Sequence, residues 1–239
     1  MNIAVIFAGG TGQRMNSVSL PKQFLIVHGK PIIVHTVSHF QECDEIDKIV
    51  IVSLADYIDT VKNLCNEYNL TKVVSVVAGG STGQESIYNG LTEAKKISTS
   101  DKDIVLVHDG VRPIINDETI KNNIKCVKEH GNSITTAKSQ ETVLIIEGNN
   151  VKDVEDRSKC FMGRAPQSFY LNDLYEAHLK AREMKKNDFI DSAMLMRYFG
   201  HTLYTVEGPS NNIKVTTPLD FFMFKAMLDA KESEQIKVV

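Results

Sequence analysis

Short apolar runs alternate with amphipathic stretches from the N-terminus to residue 138. The runs are rich in β-branched residues and are bounded by polar or glycine positions, which is typical of strands buried on both faces of a parallel sheet. They cover residues 3–8, 48–53, 72–77, 103–109 and 133–138. The amphipathic stretches between them predict helices over residues 31–42, 56–68, 84–97 and 117–130. This alternation predicts an α/β fold, a three-layer sandwich around a mostly parallel, Rossmann-like sheet.

The alternation stops after residue 138. Residues 141–157 predict two extended pieces joined by a turn at "EGNN" (147–150), which together are typical of a β-hairpin. A hairpin that protrudes from an α/β core is often an arm that pairs with another subunit. We therefore expect a single domain, 1–239, with a dimerisation arm at about 139–163. Beyond the arm the pattern predicts two helices, a strand and a closing helix, over residues 172–186, 189–200, 202–208 and 216–235.

Composition and charge narrow the class of protein. The chain has 239 residues, of which 42% are hydrophobic and 24% charged, as in an ordinary globular domain. A net charge of −3 gives no bulk attraction to nucleic acid or to an anionic membrane. No apolar run approaches the roughly twenty residues that cross a bilayer, and the N-terminus does not resemble a signal peptide. The cysteines are widely spaced without a CxxC pair, which favours reduced thiols. We expect a soluble cytoplasmic protein that binds neither nucleic acid nor membrane.

The stretch "AGGTGQRM" (8–15) follows the first predicted strand. Glycines in such a turn let a phosphate approach the backbone N–H groups closely. The stretch does not match the P-loop pattern GxxxxGK[ST], and the dinucleotide pattern GxGxxG fails at Met15. Arg14 and Lys22 bracket the turn, and two cations beside a phosphate loop suit a triphosphate. The alternative is a pair of solvated cations near a tight turn.

Two further strands end in turns that could hold a ligand. Asp109 ends the strand 103–109, and a carboxylate at that position can hold Mg²⁺, with Arg112 as a further cation nearby. Residues 78–86, "AGGSTGQES", form a second Gly-rich turn whose hydroxyls suit a nucleobase or ribose edge. Taken alone, Asp109 could merely form a turn, and Gly/Ser turns are common. Because the carboxyl ends of parallel strands meet at one sheet edge, we expect these turns to line one ligand site.

Other candidate residues carry less weight. Lys214 follows a polar turn and, taken alone, would be a solvated lysine. Asp191 stands at a predicted helix start, where N-capping is the expected role. His35 and His39 have the spacing of metal ligands on a helix, but the segment lacks the glutamate and third ligand of a zinc site. We interpret them as a satisfied or solvated pair.

The ordered set of motifs resembles one enzyme family over nearly the whole chain. The strings are "AGGTGQRM", "PKQF", "GGSTGQES", "VHDGVRP", "APQSF" and "NNIKVTTP". Together they are similar to the cytidylyltransferases that act on ribitol 5-phosphate or on 2-C-methyl-D-erythritol 4-phosphate. The resemblance implies CMP transfer from CTP to a polyol phosphate, Mg²⁺ as cofactor, and a homodimer joined through the arm.

The resemblance is closer to the ribitol-5-phosphate branch of that family. An enzyme of this branch would produce CDP-ribitol and pyrophosphate, and CDP-ribitol would be a precursor for a cell-surface polymer such as teichoic acid. The alternative acceptor is 2-C-methyl-D-erythritol 4-phosphate, of isoprenoid biosynthesis. The opening "AGGTGQRM" with "LPKQF" and the turn "SNNIKVTT" favour the ribitol-5-phosphate branch. The chain also departs from the erythritol-type enzymes at two places: Asn211 stands where they usually have an acidic residue, which argues against a second carboxylate at the metal, and Gln140 and Glu141 stand where they commonly have Arg-Asp before the arm threonine.

The resemblance implies a role for each matching residue. The residues that would bind the CTP phosphates are Ala8, Gly9, Gly10, Thr11 and Gly12, with Arg14, Lys22 and Lys214 as the catalytic cations. Those that would hold cytosine and ribose are Gly80, Ser81 and Ser86. Asp109 would ligate Mg²⁺ beside the nucleotide. The acceptor would be bound by Arg112 and, from the partner's arm, by Thr142 and Arg157.

Overall fold

The computed structural model describes residues 1–10 and 20–232, apart from the side chain of Lys231. Its strands are β1 (Asn2–Ala8), β2 (Ile26–Val27), β3 (Lys30–Pro31), β4 (Lys48–Ser53), β5 (Val73–Ala78), β6 (Ile104–Asp109), β7 (Asn132–Lys138), β8 (Leu144–Glu147), β9 (Asn150–Val154), β10 (Phe161–Tyr170) and β11 (Thr205–Glu207). Its helices are α1 (Ile32–Glu42), α2 (Ile58–Glu67), α3 (Gly83–Ile97), α4 (Asp117–His130), α5 (Leu171–Glu183), α6 (Ser192–Tyr198) and α7 (Pro218–Glu232). The predicted strands and helices up to β7 are confirmed almost to the residue, whereas α5, α6 and β11 are shorter than predicted and α7 begins later, at Pro218.

The central sheet has seven strands in the order β11-β7-β10-β6-β1-β4-β5. All neighbours pair in parallel except β10, which runs antiparallel to both β6 and β7. The mostly parallel sheet of the sequence prediction is therefore confirmed. The chain passes from β1 outward to β4 and β5, then returns to the other side of β1 as β6. Such a reversal opens a crevice at the carboxyl ends of β1 and β6, where α/β folds bind their ligands.

Side chains of alternate sheet residues enter two helical layers. On β1, Ile6 packs into the cluster formed with α1, α2 and α4, whereas Val5 packs into the cluster formed with α3, α5 and α6. Both side chains are fully buried, and burying such a side chain contributes about 1.5–3 kcal/mol. Helix α3 crosses the sheet so closely that a Cβ atom on Gly90 would lie 2.5 Å from Cγ1 of Val5. Only glycine lets this helix reach the sheet, and the N-terminus of α3 is held in place as a result.

Strand β10 is the strand of the central sheet that the hydrophobic pattern failed to predict. Its sequence, "FMGRAPQSFY", has no β-branched run and carries Pro166, which has no N–H to donate to a neighbouring strand. The pairing with β7 accordingly shifts register between Gly163 and Gln167. The burial of β10 between β6 and β7, rather than its own pattern, makes it a strand. Residues 161–163, assigned from the sequence to the arm, pair with β7 in the main sheet.

The predicted hairpin is present as the pair β8 and β9, in a two-stranded sheet of its own. Gly148 in the connecting turn has a φ of 60°, a conformation that glycine adopts without strain. At the base of the arm, the Ser139 N–H donates to the Cys160 carbonyl over 3.0 Å. Every residue of both strands is exposed. The arm therefore extends away from the two hydrophobic layers.

The weaker sequence interpretations are also resolved. His35 Nε2 bonds the Val27 carbonyl at 2.8 Å and His39 Nε2 bonds that of Pro113 at 3.2 Å, so the pair is satisfied by backbone. All the cysteines are free thiols. Within residues 1–10 and 20–232, no helix is both long enough and apolar enough to cross a bilayer.

The buried histidines predict a loss of stability in mild acid. Burial lowers the pKa of His108 and of His178 to about 4, against 6.5 for an ordinary histidine. Because the unfolded chain then takes up protons first, the free energy of unfolding should fall as the pH drops from about 6.5 towards 4, by up to ~3 kcal/mol for each histidine. His178→Leu should remove one histidine's share of this loss, measured by urea unfolding across that range. The exposed His130→Leu is the matched control, and a His178→Leu curve parallel to wild type would contradict the assignment.

Candidate active site

A cavity of about 520 Å³ lies at the carboxyl ends of the parallel strands. Its wall includes the ends of β1 and β6 and the turns that follow β1, β5 and β6. The lining residues are Phe7, Ala8, Gly9, Gly10, Lys22, Gln23, Leu54, Gly80, Ser81, Thr82, Gly83, Ser86, Asp109, Val111 and Lys214. The three turns singled out in the sequence therefore meet at one site, as parallel strand ends predict.

Asp109 is the charged centre of this cavity. Its Oδ1 lies 2.6 Å from Lys214 Nζ, and its Oδ2 accepts a hydrogen bond from Arg112 Nε at 2.7 Å. Burial alone would raise the pKa of Asp109, but the charges of Lys214 and Arg112 outweigh it and lower that pKa to about 2. The carboxylate is therefore ionised at any pH at which the protein works, and it holds two cations beside the cavity.

Arg112 and a polar turn position Lys214, which lies in a loop before α7. Arg112 Nη1 donates to the carbonyl of Asn212 at 2.9 Å, and Asn212 Nδ2 donates to the carbonyl of Ala165 on β10 at 2.8 Å. These bonds tie the loop to the end of β6 on one side and to β10 on the other. Lys214 itself remains 40% exposed, so its ammonium group is fixed at the base but accessible from the cavity.

The second Gly-rich turn is braced by its own side chains. Thr82 caps α3 by accepting from the Glu85 N–H at 3.1 Å, and Ser86 Oγ accepts from the Gly80 N–H at 3.1 Å. The Glu85 carboxylate accepts from both the backbone N–H and the hydroxyl of Ser81, at 2.8 Å each. The first turn of α3 faces the cavity, where the positive end of the helix dipole favours an anion.

Lys22 enters the cavity from the opposite side. It begins a 3₁₀ turn (Lys22–Phe24) and is only 8% exposed. The next residue, Gln23, donates from Nε2 to the Ala8 carbonyl at 2.7 Å, which attaches the turn to the end of β1. Phe24 stacks on Tyr57 with ring centroids 4.9 Å apart. Two neighbours in sequence thus hold this lysine at the cavity wall.

The remaining part of the predicted phosphate loop is only partly described. Ala8, Gly9 and Gly10 line the cavity as expected. Thr11, Gly12 and Arg14 lie outside the described residues.

A second cavity, of about 320 Å³, adjoins the first across Asp109 and Lys214, which line both. Arg112, predicted at the acceptor, lines this second space. Asp191 lines it too, and the N-cap prediction for this residue is confirmed, because Oδ1 accepts from the Met194 N–H at 2.8 Å. Its Oδ2 accepts from Gln167 Nε2 at 2.9 Å.

Sequence reasoning missed part of this second wall. Arg164, Gln167 and Ser192 line it but were not among the site residues predicted from the sequence. The motif "APQSF" was the available signal for Gln167, because this residue lies within the motif and on the same strand as Ala165.

The two candidates from the arm lie elsewhere in this chain. Thr142 and Arg157 are both exposed and are not among the residues that line either cavity. Arg157 Nη1 donates to the Gln140 carbonyl at 3.4 Å, within the arm itself.

The geometry suits a reaction between two anionic ligands. Each ligand can occupy one cavity, and the two spaces meet where Lys214 contacts Asp109. Positively charged groups on both sides of that point can stabilise negative charge that develops between the ligands.

Comparison with known proteins agrees with this arrangement. The family model IspD, 2-C-methyl-D-erythritol 4-phosphate cytidylyltransferase, matches residues 2–230. The chain is 52% identical to a ribitol-5-phosphate cytidylyltransferase of Streptococcus agalactiae serotype III (strain NEM316), over 99% of both chains. It is 38% identical to a 2-C-methyl-D-erythritol 4-phosphate cytidylyltransferase of Clostridium botulinum (strain Eklund 17B / Type B), over 92% of this chain and 96% of that one.

A solved structure shares the fold over nearly the whole length. The 4-diphosphocytidyl-2C-methyl-D-erythritol synthase of Anaerococcus prevotii DSM 20548 superimposes with a TM-score of 0.81 and 28% identity, covering 95% of this chain and 96% of that one. The family match, the full-length relatives and the shared fold point to the same class of enzyme. The chain belongs to the IspD family of CTP-dependent cytidylyltransferases.

Proposed function

We propose that this enzyme transfers CMP from CTP to D-ribitol 5-phosphate, giving CDP-ribitol and pyrophosphate. The observation that carries the proposal is the pair of adjoining cavities that share Asp109 and Lys214, one for each phosphorylated substrate. The choice of acceptor is supported by the relatives, of which the ribitol-5-phosphate enzyme is 52% identical and the methylerythritol-phosphate enzyme 38%.

In this proposal CTP occupies the larger cavity. Its phosphates lie against the backbone of Gly9 and Gly10 and beside Lys22, while cytosine and ribose lie against Gly80, Ser81 and Ser86. The braced turn before α3 supports this assignment, because its internal hydrogen bonds hold this wall of the cavity in one conformation, and a fixed wall can select a ligand without reorganising.

The acceptor enters the smaller cavity and attacks with a phosphate oxygen. That oxygen forms a bond to the α-phosphorus of CTP, the bond from the α-phosphorus to the bridging oxygen breaks, and pyrophosphate leaves. A phosphate monoester is already an anionic nucleophile at neutral pH, so no general base is required. Positioning and charge stabilisation then account for the rate, with Lys214 at the junction of the cavities and Lys22 beside the leaving group.

Asp109 suits a divalent cation bound together with the nucleotide. Mg²⁺ commonly takes one or two carboxylates and completes its shell with substrate phosphates and water. Asp109 is ionised and lines the cavity, so its carboxylate would be the protein ligand of such an ion, in exchange for part of its contact with Lys214. The ion would offset the charge of the triphosphate.

The arm supports a homodimer in which each subunit completes the other's acceptor site. A two-stranded hairpin is marginally stable alone, and this one exposes a row of apolar side chains. They are Leu144, Ile145, Ile146, Val151 and Val154. A second copy of the chain that covers this surface would bring Thr142 and Arg157 to a cavity that they do not reach in their own subunit.

The acceptor is tested by comparing two substrates with CTP. We expect pyrophosphate release with ribitol 5-phosphate at a kcat/KM about 10-fold to 100-fold above that with 2-C-methyl-D-erythritol 4-phosphate, since a site built for one set of hydroxyls rejects another. A higher kcat/KM with 2-C-methyl-D-erythritol 4-phosphate would make that compound the acceptor, and the proposed CMP transfer from CTP would still hold. No pyrophosphate with either acceptor would refute the proposed function.

The two lysines are tested by truncation. Lys22→Ala and Lys214→Ala should each lower kcat by about 10²-fold to 10³-fold, because each removes a cation aimed at transition-state charge. Arg112 still pairs Asp109 in the Lys214 variant, so the fold should survive, as circular dichroism would show. Lys225→Ala, on the exposed face of α7, is the matched control and should keep wild-type turnover.

Shared sites are tested by mixing two inactive variants. Arg157→Ala and Lys214→Ala should each be impaired alone, but their mixed dimer would contain one site with both residues intact. After refolding together in equal amounts, about a quarter of the wild-type activity should return. Absence of any recovery in mixed dimers would show that Arg157 does not act across the interface.

A further inference from the structure

Arg164 is a cation of the smaller cavity that the proposed mechanism does not use. It lies on β10 and lines the 320 Å³ space together with Arg112, Gln167 and Asp191. Its Nε atom is buried and has no hydrogen-bond partner among the described residues. No salt bridge involves it within residues 1–10 and 20–232. A positive group therefore faces the cavity without a partner from this part of its own chain.

Arg112 differs from Arg164 in having hydrogen-bond partners within the described part of the chain. It lines the same cavity, but its Nε bonds the Asp109 carboxylate and its Nη1 bonds a carbonyl. Arg164 is close enough to feel this second guanidinium, since burial and then the charge of Arg112 both lower the pKa of Arg164. A half-buried guanidinium whose Nε is fully enclosed beside another cation is unfavourable without an anion, so the natural complement of Arg164 is a negatively charged ligand group.

The chemistry of the acceptor supplies one such group. A polyol phosphate has a dianionic end and a hydroxyl-bearing chain, and the smaller cavity has a matching division. Arg164 provides guanidinium N–H donors, whose planar fork suits phosphate oxygens. Asp191 and Gln167 provide oxygen acceptors that suit hydroxyl groups, and both are held by the start of α6.

We propose that Arg164 binds the phosphate of the acceptor, with the polyol hydroxyls towards Asp191, and so selects a phosphate monoester over the free polyol. This inference rests on the proposed function in taking the smaller cavity as the acceptor site. It adds a phosphate-binding group from the same subunit to those proposed from the partner's arm.

Kinetics of Arg164→Met and Arg164→Lys test the assignment. Arg164→Met should raise the KM for ribitol 5-phosphate about 10-fold to 100-fold, the value of a charge-assisted hydrogen bond, and leave the KM for CTP unchanged. Arg164→Lys should recover part of the loss, because it restores the charge without the fork. Arg197→Met, at an exposed arginine of α6, is the matched control and should match wild type. An unchanged acceptor KM in Arg164→Met, or equal increases in both KM values, would overturn the proposal.

A binding measurement separates this inference from the proposed reaction. With CTP saturating, inorganic phosphate should raise the thermal midpoint of the wild type but not that of Arg164→Met. Without phosphate, the variant should be at least as stable as the wild type, since it no longer buries an unpaired charge. An equal phosphate effect on both proteins would refute the anion site. A third outcome separates the two proposals. If the wild type does not turn over ribitol 5-phosphate, but phosphate stabilises the wild type and not Arg164→Met, the proposed acceptor is wrong and the anion site is still supported.

Discussion

The ionised carboxylate of Asp109 organises the end of the sheet at which the two cavities meet. It is nearly inaccessible to water, and its two oxygens are held by Lys214 and Arg112 at 2.6 and 2.7 Å. Removing the carboxylate would leave two neighbouring cations without a counter-charge, so the positions of Lys214 and Arg112 both depend on Asp109. Arg112 in turn holds the turn before Lys214 through Asn212. The loop before α7 is therefore attached to the end of β6 through the side chains of Asp109 and Arg112 and through a backbone hydrogen bond from Val215 to Val111.

This arrangement prepares positive charge before any substrate arrives. A cluster of one carboxylate and two cations has an excess positive charge, and Lys214 keeps part of its side chain open to the cavity. Groups that are already in place when charge develops need no reorganisation at that moment, which is the main advantage of a protein site over water. The excess positive charge lowers the local stability of the empty enzyme, and the well-packed sheet beneath the site offsets this loss.

The sequence predicted the fold better than the walls of the site. Strands β1, β4, β5 and β6 are short apolar runs rich in β-branched residues, which is the pattern of strands in a parallel sheet and makes them recognisable. Strand β10 was not predicted because Gly163 and Pro166 interrupt its sequence. Pairing with its neighbours in the sheet, rather than its own residue preferences, makes it a strand. Asp109 was found because it ends a strand, but its pairing with Lys214 joins residues 105 positions apart and follows only from the tertiary structure. Gln167 and Arg164 were passed over for the same reason, since their strand was not predicted.

The closed base of the arm has a consequence for how such a protein can change. The arm leaves the sheet at the end of β7 and returns at the start of β10, and these two points are joined by the hydrogen bond from Ser139 to Cys160. A segment whose ends already meet can be lengthened, shortened or exchanged without moving the strands that it connects. The surface offered to other molecules is thus free to diverge between related chains while the nucleotide end of the sheet is kept. The arm behaves as a replaceable module built onto a fixed core.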